Sequence, residues 1–318
     1  MHLTQSIVQI ESLTKVFDGK DRVVAVDGVD LELHEGEIFG LLGPNGAGKT
    51  TTIGMATTRI LPSSGRIHIN GIDVVKNPAE ARQRIGVVPQ FNTLDRSLTL
   101  FENLYYHCRY FAMGHGEAKA RSIELLDQFL LAERKNAYPA QLSGGLAQRL
   151  QIARAIAHRP RVLFLDEPSA GLDPQSRLAM WSIVEDLHKE GITVLLTTHY
   201  MEEADKLSDR IAIIDHGRLL ALGSSEKLKS IFGVRTVYEL TLKSLEGIEI
   251  AAGQLRAQPG VESAEPHEHG LRIVAEKTDG LLPLIVEATK MQGLVDMRMQ
   301  GANLETVFIK LTVRDLRD

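Results

Sequence analysis

Short, uninterrupted runs of apolar residues recur in the first part of the chain. Residues 38–42, 162–165 and 193–197 are continuous runs, the pattern of parallel strands that are covered on both faces. The first run leads through glycine into a helical pattern over residues 50–58, and residues 143–158 repeat apolar residues at helical spacing. Strands and helices that alternate in this order predict an α/β unit with a parallel sheet.

Other segments predict antiparallel strands and a helical insertion beside this sheet. From Leu98 to about Tyr138 the pattern is helical, so we expect a helical subdomain at about residues 91–142. The remaining predicted elements are strands at residues 7–10 and 31–33 with a turn at Asp27-Gly28 between them, a hairpin at residues 66–74 turning at Asn70-Gly71, a strand at residues 85–88 and a hairpin at residues 211–222.

The pattern changes near residues 231–235, where we place a domain boundary. Residues 1–233 form the first predicted domain, and residues 234–318 form a smaller one. The second domain reads as strand 237–242, helix 248–257, strand 261–266, strand 271–275, helix 281–291 and strand 295–299, followed by a last helix at residues 304–311. That βαββαβ order predicts a ferredoxin-like α+β domain.

Composition narrows the class of protein. The 318 residues, 43% hydrophobic and 24% charged, are typical of a soluble globular protein. The net charge of −5 argues against general nucleic-acid binding, which needs a basic surface. The single cysteine, Cys108, excludes an intramolecular disulfide. The N-terminus does not resemble a secretory signal, and no apolar run approaches the roughly 18–20 residues that span a bilayer. Any action on a membrane therefore requires another chain.

A glycine-rich loop follows the first buried strand. The sequence Gly43-Pro44-Asn45-Gly46-Ala47-Gly48-Lys49-Thr50 matches the pattern of a nucleotide phosphate loop. The glycines let backbone N–H groups surround phosphate oxygens, Lys49 places a charge on the β- and γ-phosphates, and the Thr50 hydroxyl ligates Mg²⁺. We therefore expect the chain to bind ATP with Mg²⁺.

Two adjacent carboxylates follow a second buried strand. The apolar run at residues 162–165 delivers Asp166 to the carboxyl end of the parallel sheet, where ligands bind in such folds. Asp166 is the candidate for the Mg²⁺ shell, and Glu167 is the candidate general base that activates water. The alternative, a solvated strand end, fits poorly with so apolar a strand.

A third candidate site lies at the start of a predicted helix. Ser143 can cap this helix, and Gly144 and Gly145 expose its N-terminal N–H groups to an anion. One chain thus carries two different phosphate-binding segments, the phosphate loop and this helix N-terminus. In a dimer, the helix N-terminus of each copy could complete the phosphate-loop site of the other copy. We therefore expect a head-to-tail dimer, and two intact half-sites in one chain favour a homodimer over a heterodimer.

These motifs resemble the nucleotide-binding subunits of ABC transporters. The resemblance covers roughly residues 6–230 and rests on motifs in a fixed order: the phosphate loop, Val88-Pro89-Gln90, LSGG at 142–145, LFLDEP at 163–168, SAGLDP at 169–174 and Thr197-Thr198-His199. It implies a P-loop NTPase core of α/β class, with an N-terminal antiparallel β part and a helical subdomain.

The resemblance also implies roles for individual residues. Gln90 would ligate Mg²⁺, sense the γ-phosphate and link to a membrane partner, while His199 would contact the γ-phosphate beside Glu167. Asp173 matches the loop that crosses the dimer interface. The catalytic candidates are Glu167, His199 and Gln90, and the Mg²⁺ candidates are Thr50, Gln90 and Asp166. The nucleotide-binding candidates are Phe17, Gly43, Pro44, Asn45, Gly46, Ala47, Gly48, Lys49, Thr50, Thr51, Ser143, Gly144 and Gly145.

Two aromatic features keep alternatives open at this point. Phe17 corresponds to the family's adenine-stacking aromatic, but a core phenylalanine is an equal alternative. The five aromatic residues from Phe101 to Phe111 can form part of a groove for a partner helix or a small helical core. Both can hold if one face of the segment is buried and the other is exposed.

Within this family, the segments at residues 199–205, 207–210 and 304–309 resemble the daunorubicin-type drug-resistance ATPases of the ABC-2 exporter group. That resemblance implies an integral-membrane ABC-2 permease as partner, a place at the cytoplasmic face of the membrane, and export of a drug, lipid or polysaccharide. The alternatives are a soluble ABC protein of DNA repair or translation, which the single phosphate loop disfavours, and a non-catalytic cassette, which Lys49 and Glu167 disfavour.

Overall fold

A six-stranded sheet lies at the centre of the first of two units in the computed structural model of this protein. The structure describes residues 6–19, 21–233, 235–276, 280–301 and 303–315. Its internal contacts divide the chain into Met1–Ser224 and Ser225–Asp318. Within the described residues, no helix combines the length and apolar character needed to cross a membrane.

The first unit contains ten strands and seven α-helices within the residues described. The strands are β1 (Ser6–Phe17), β2 (Val23–His34), β3 (Ile38–Leu42), β4 (Ser64–Ile69), β5 (Ile72–Asp73), β6 (Ile85–Val88), β7 (Val162–Asp166), β8 (Thr193–Thr198), β9 (Arg210–Asp215) and β10 (Arg218–Gly223). The helices are α1 (Lys49–Ala56), α2 (Pro78–Arg84), α3 (Leu100–Tyr110), α4 (His115–Gln128), α5 (Gly144–Ala155), α6 (Pro174–Lys189) and α7 (Met201–Leu207).

The central sheet has the order β10-β9-β3-β8-β7-β6, and every pair in it is parallel except β9 with β10. Strands β3, β7 and β8 are buried at every position, as the apolar runs predicted. Successive residues of β7 pack into two different hydrophobic cores. Leu163 and Leu165 pack with the helices α3–α6. Val162 and Phe164 pack with α1 and the antiparallel strands. Burial on both faces explains why these strands carry no polar alternation.

An antiparallel sheet in the order β2-β1-β4-β5 covers one of these cores. The predicted hairpin at Asn70-Gly71 is confirmed, with both residues at positive φ, as a two-residue hairpin turn of type I′ requires. The predicted turn at Asp27-Gly28 is wrong, because both residues lie inside β2. The pairing of β1 with β2 shifts register there, and Gly28 at φ 64° accommodates the extra residue as a β-bulge.

The helical part begins with α3, which Thr99 and Glu102 cap reciprocally. Its aromatic residues divide between two environments. Phe101 and Tyr105 pack against the buried core, and their rings stack at 5.8 Å. Tyr106 and Tyr110 are 53% and 82% exposed. One face of the helix is therefore turned inward and the other outward.

The second unit has a small core of its own. Its elements are α8 (Ser225–Ile231), β11 (Thr236–Leu242), α9 (Ile248–Arg256), β12 (Val261–His267), β13 (Gly270–Ala275), α10 (Leu281–Ala288), β14 (Leu294–Gln300) and α11 (Leu304–Asp315). The sheet is antiparallel in the order β12-β13-β11-β14. Alternate residues of β11, such as Tyr238 and Leu240, pack with Leu255 of α9 and Ile285 of α10. The assignment of this unit to the ferredoxin-like class stays a prediction.

Candidate functional site

Four neighbouring parallel strands end at the same edge of the central sheet. Leu42 of β3 lies opposite Thr198 of β8, Asp166 of β7 lies opposite Thr197 of β8, and Val88 of β6 lies opposite Leu165 of β7. The segments that follow these strands carry the predicted phosphate loop, Glu167, His199 and Gln90. The register of one sheet therefore brings together residues that are far apart in the sequence.

Glycines at two positions of the phosphate loop are required by close packing. At Gly43 a Cβ atom would lie 2.3 Å from the carbonyl oxygen of Ile214. Gly48 adopts a φ of +102°, and a Cβ there would lie 2.4 Å from the carbonyl oxygen of Ala25. Gly48 is also the N-cap of α1, so the loop delivers the first N–H groups of that helix to the site.

Lys49 lies inside this loop and is 4% exposed. Its ammonium donates to the carbonyl oxygens of Gly43 at 2.9 Å and Pro44 at 3.0 Å, and it forms an ion pair with Oε1 of Glu167 at 3.2 Å. The charge is thus fixed between the loop and the candidate base. Such a position suits a group that is to neutralise phosphate oxygens.

Asp166 is 2% exposed and accepts two hydroxyl hydrogen bonds. Both reach its Oδ1, from Thr50 Oγ1 at 3.2 Å and from Thr197 Oγ1 at 2.7 Å. Burial raises the pKa of Asp166, and these two hydrogen bonds act against that rise by stabilising the carboxylate. The structure therefore joins Thr50 and Asp166, two of the three predicted Mg²⁺ ligands, from distant parts of the sequence.

Glu167 has a backbone conformation that non-glycine residues rarely adopt, with φ +49°. Its backbone N–H donates to Oγ1 of Thr197 at 2.9 Å, which holds this conformation in place. Its Oε2 accepts from Gln90 Nε2 at 3.3 Å and lies 3.1 Å from Nδ1 of His199. All three predicted catalytic residues therefore meet at one carboxylate.

These residues line a cavity of about 480 Å³. Its lining residues are Ala25, Asn45, Gly46, Gly48, Lys49, Thr50, Thr51, Gln90, Glu167, Ala170 and His199. Six of the thirteen predicted nucleotide-binding residues are among them: Asn45, Gly46, Gly48, Lys49, Thr50 and Thr51. The size and the polar lining fit a group with several phosphates, because fixed donors converge on one space.

Ser143 and Gly145 line a different cavity, of about 210 Å³, with Arg149 and Ser176. Ser143 caps α5, since its Oγ accepts from the backbone N–H of Leu146 at 3.4 Å. Gly145 packs closely there, because a Cβ atom would lie 2.7 Å from Oγ of Ser176 and that side chain would have to shift. The predicted cap is confirmed, and in a single chain this segment does not line the phosphate-loop cavity.

Phe17 lies at the end of β1 and is 43% exposed. This exposure contradicts the alternative of a core phenylalanine. The ammonium of Lys15 lies 5.0 Å from the centre of its ring. Its role as an adenine-stacking residue stays a prediction.

Sequence reasoning missed two groups of residues at this site. The motif Thr197-Thr198-His199 gives Thr197 no role of its own, yet its hydroxyl holds both Asp166 and the backbone of Glu167. Thr197 lies opposite Asp166 in the neighbouring strand. Its role could have been predicted only if the register between these two strands were known. Ala25 and Ala170 line the cavity without any chemical signature in their side chains.

Comparison with known proteins adds an independent line of support. The family model described as ABC transporter matches residues 26–170. The chain is 39% identical to the linearmycin resistance ATP-binding protein LnrL of Bacillus subtilis, over 98% of this chain and 100% of that protein. It is 39% identical to the daunorubicin/doxorubicin resistance ATP-binding protein DrrA of Streptomyces peucetius, over 96% of this chain and 92% of that protein. A solved dimeric ATP-binding cassette, in a post-hydrolysis state with ADP and Pi, matches with a TM-score of 0.63 and 29% identity, over 68% of this chain and 98% of its own.

Proposed function

Since this chain belongs to the ABC transporter family as one of its ATP-hydrolysing subunits, we propose that it powers an exporter through nucleotide sites shared between two copies. One observation carries the proposal. The ends of four parallel strands bring the phosphate loop, Glu167, His199 and Gln90 to one cavity, and Asp166 accepts a hydrogen bond from Thr50 of that loop. Phosphate binding, a candidate base and a γ-phosphate contact are thus present together.

The residues at this site fit a magnesium ion. Thr50 and Asp166, whose oxygen atoms already share a hydrogen bond, would hold the ion, and Gln90, which lines the same cavity, would supply its amide oxygen as a third hard ligand. Magnesium commonly binds through one or two protein oxygens together with substrate phosphates. When bound, the ion neutralises charge on the β- and γ-phosphates.

For hydrolysis, the Glu167 carboxylate accepts a proton from the attacking water. Phosphate oxygens that enter the loop compete with Glu167 for the Lys49 ammonium, which lies 3.2 Å from Glu167 Oε1. Transfer of Lys49 to the phosphates leaves this oxygen of Glu167 available to the water. His199 contacts the other oxygen of the same carboxylate, so it orients Glu167 and would contact the γ-phosphate of a bound nucleotide.

The second phosphate device needs a second copy of the chain. Ser143 and Gly145 lie on a cavity separate from that of the phosphate loop. In a head-to-tail homodimer, the N-terminus of α5 from each copy would close the loop of the other. ATP then favours the closed dimer because it contacts both copies, and hydrolysis removes that preference.

We expect Thr197→Val to impair hydrolysis although it preserves the shape of the side chain. The substitution removes the hydroxyl that holds Asp166 and the backbone of Glu167, each within 2.9 Å. Loss of a hydrogen bond to a charged group costs about 1.5–3 kcal/mol, so kcat should fall by about 10- to 100-fold. Steady-state phosphate release, titrated with Mg²⁺, measures this effect. Thr197→Ser keeps the hydroxyl and should remain near the wild-type rate; equal rates for Val and Ser would contradict the role of this hydroxyl.

The names of the similar proteins support a proposal about the transported substrate and its route. Two of them are named for resistance to linearmycin and to daunorubicin/doxorubicin. We therefore assign this chain to the cytoplasmic face of a membrane, bound to an integral-membrane permease of the ABC-2 type, where it drives export of a drug, lipid or polysaccharide.

Affinity purification of the full-length chain from its own cells tests this assignment. The expected result is a complex of this chain with a polytopic permease. The chain should also hydrolyse ATP faster when the permease is present in lipid vesicles than when the chain is alone. Recovery with ribosomes or with DNA, and without a membrane protein, would point instead to the soluble classes of this family.

A further inference from the structure

Helix α6 contacts the segment that follows His199 at two positions, one helical turn apart. Its Trp181 is 6% exposed, and the indole Nε1–H donates to Oε1 of Glu203 at 3.0 Å. Its Arg177 lies four residues earlier, on the same face, with the guanidinium carbon 4.8 Å from the centre of the Tyr200 ring. Tyr200 directly follows His199 in the chain, and Glu203 comes four residues after His199.

The contact with Tyr200 continues to the catalytic carboxylate. The ring centres of Tyr200 and His199 are 4.1 Å apart, and Nδ1 of His199 lies 3.1 Å from Oε2 of Glu167. A side chain of α6 thus packs on a residue that packs on His199. The same helix also packs against the N-terminus of α5, where a Cβ atom at Gly145 would lie 2.7 Å from Oγ of Ser176.

The Trp181–Glu203 pair is costly for stability. Glu203 has no exposed surface, and within the described residues its Oε2 has no hydrogen-bond partner. A buried carboxylate with so few donors is destabilising relative to apolar residues of similar volume. In return, a hydrogen bond is directional and fixes one relative position of the two side chains. Packing between apolar side chains fixes that position less strictly.

We propose that Trp181 and Glu203 are positioning residues for ATP hydrolysis, which act with Arg177 to hold His199 against Glu167. The inference rests on the proposed function, because the position of His199 matters only if hydrolysis occurs beside it. Neither Trp181 nor Glu203 lines the phosphate-loop cavity, so both act through the segment between them and His199.

Steady-state hydrolysis by the full-length chain, with kcat and KM for ATP measured separately, tests the proposal. Trp181→Phe removes the donor and leaves Glu203 buried without it; we expect kcat to fall by about tenfold or more, because small displacements of catalytic groups are costly. KM should stay within about twofold, since the phosphate loop is unchanged. Glu203→Gln keeps an acceptor and should retain a kcat near wild type.

The double variant Trp181→Phe/Glu203→Leu separates positioning from stability. It removes both polar groups, so its thermal unfolding temperature should equal or exceed that of the wild type, while kcat stays low. Leu187→Ala, a buried change on the same helix, should lower that temperature and leave kcat unchanged below the unfolding transition. A stable double variant with wild-type kcat would overturn the positioning role. If the wild type itself hydrolyses no ATP, the proposed function fails instead.

Discussion

Replacement of Glu167 by glutamine should reduce ATP hydrolysis by about a thousandfold and leave ATP binding intact, because a general base contributes about 10²- to 10⁴-fold. The amide keeps the shape of the carboxylate and can still accept from Gln90, which donates at 3.3 Å in the wild type. It cannot accept a proton from water. The ion pair with Lys49 is also lost, so the ammonium becomes more available to phosphate oxygens.

The variant should therefore accumulate as a closed dimer when ATP is added. Phosphate release measures hydrolysis, equilibrium binding of a fluorescent ATP analogue measures affinity, and size-exclusion chromatography measures the dimer. Glu124→Gln is a suitable control, since Glu124 is 57% exposed and pairs with Arg121 on α4. A Glu167→Gln protein that hydrolyses ATP within about tenfold of the wild type would exclude Glu167 as the base.

Replacement of Ser143 by arginine should reduce the rate of ATP hydrolysis by at least about 100-fold. It should not weaken ATP binding to a single copy. Ser143 is exposed and does not line the phosphate-loop cavity, so a monomer keeps its nucleotide contacts. In the dimer the bulky side chain would stand where the partner's γ-phosphate must approach. Ser143→Ala is the matched control, because it removes the helix cap, at about 1 kcal/mol, without adding bulk.

Mixing two inactive variants tests the shared site directly. A dimer of one Glu167→Gln copy and one Ser143→Arg copy has one site that contains wild-type Glu167 and wild-type Ser143. Its other site carries both defects. Equal mixing makes half of the dimers mixed, each with one intact site of two, so up to about a quarter of the wild-type rate should return. A mixture that stays as inactive as its components would contradict the head-to-tail arrangement.

Local patterns predicted much of this molecule because the relevant physical constraints act over a few residues. The apolar strands β3, β7 and β8 and the hairpin at Asn70-Gly71 occur where the sequence placed them. The Asp27-Gly28 pair shows the limit of such reasoning. A dipeptide that tolerates positive φ serves a turn or a bulge equally well, and only the pairing of β1 with β2 selects the bulge.

The sequence by itself determined which chemical groups this protein places at a site. The phosphate loop, Asp166, Glu167, Ser143 and His199 are recognisable because each motif carries its chemistry in consecutive residues at a strand or helix end. Tertiary structure alone decided how those groups are held. Thr197 supports Asp166 through a neighbouring strand, and Trp181 reaches Glu203 from another helix. These contacts depend on sheet register and helix packing, which join residues with no fixed spacing in the chain.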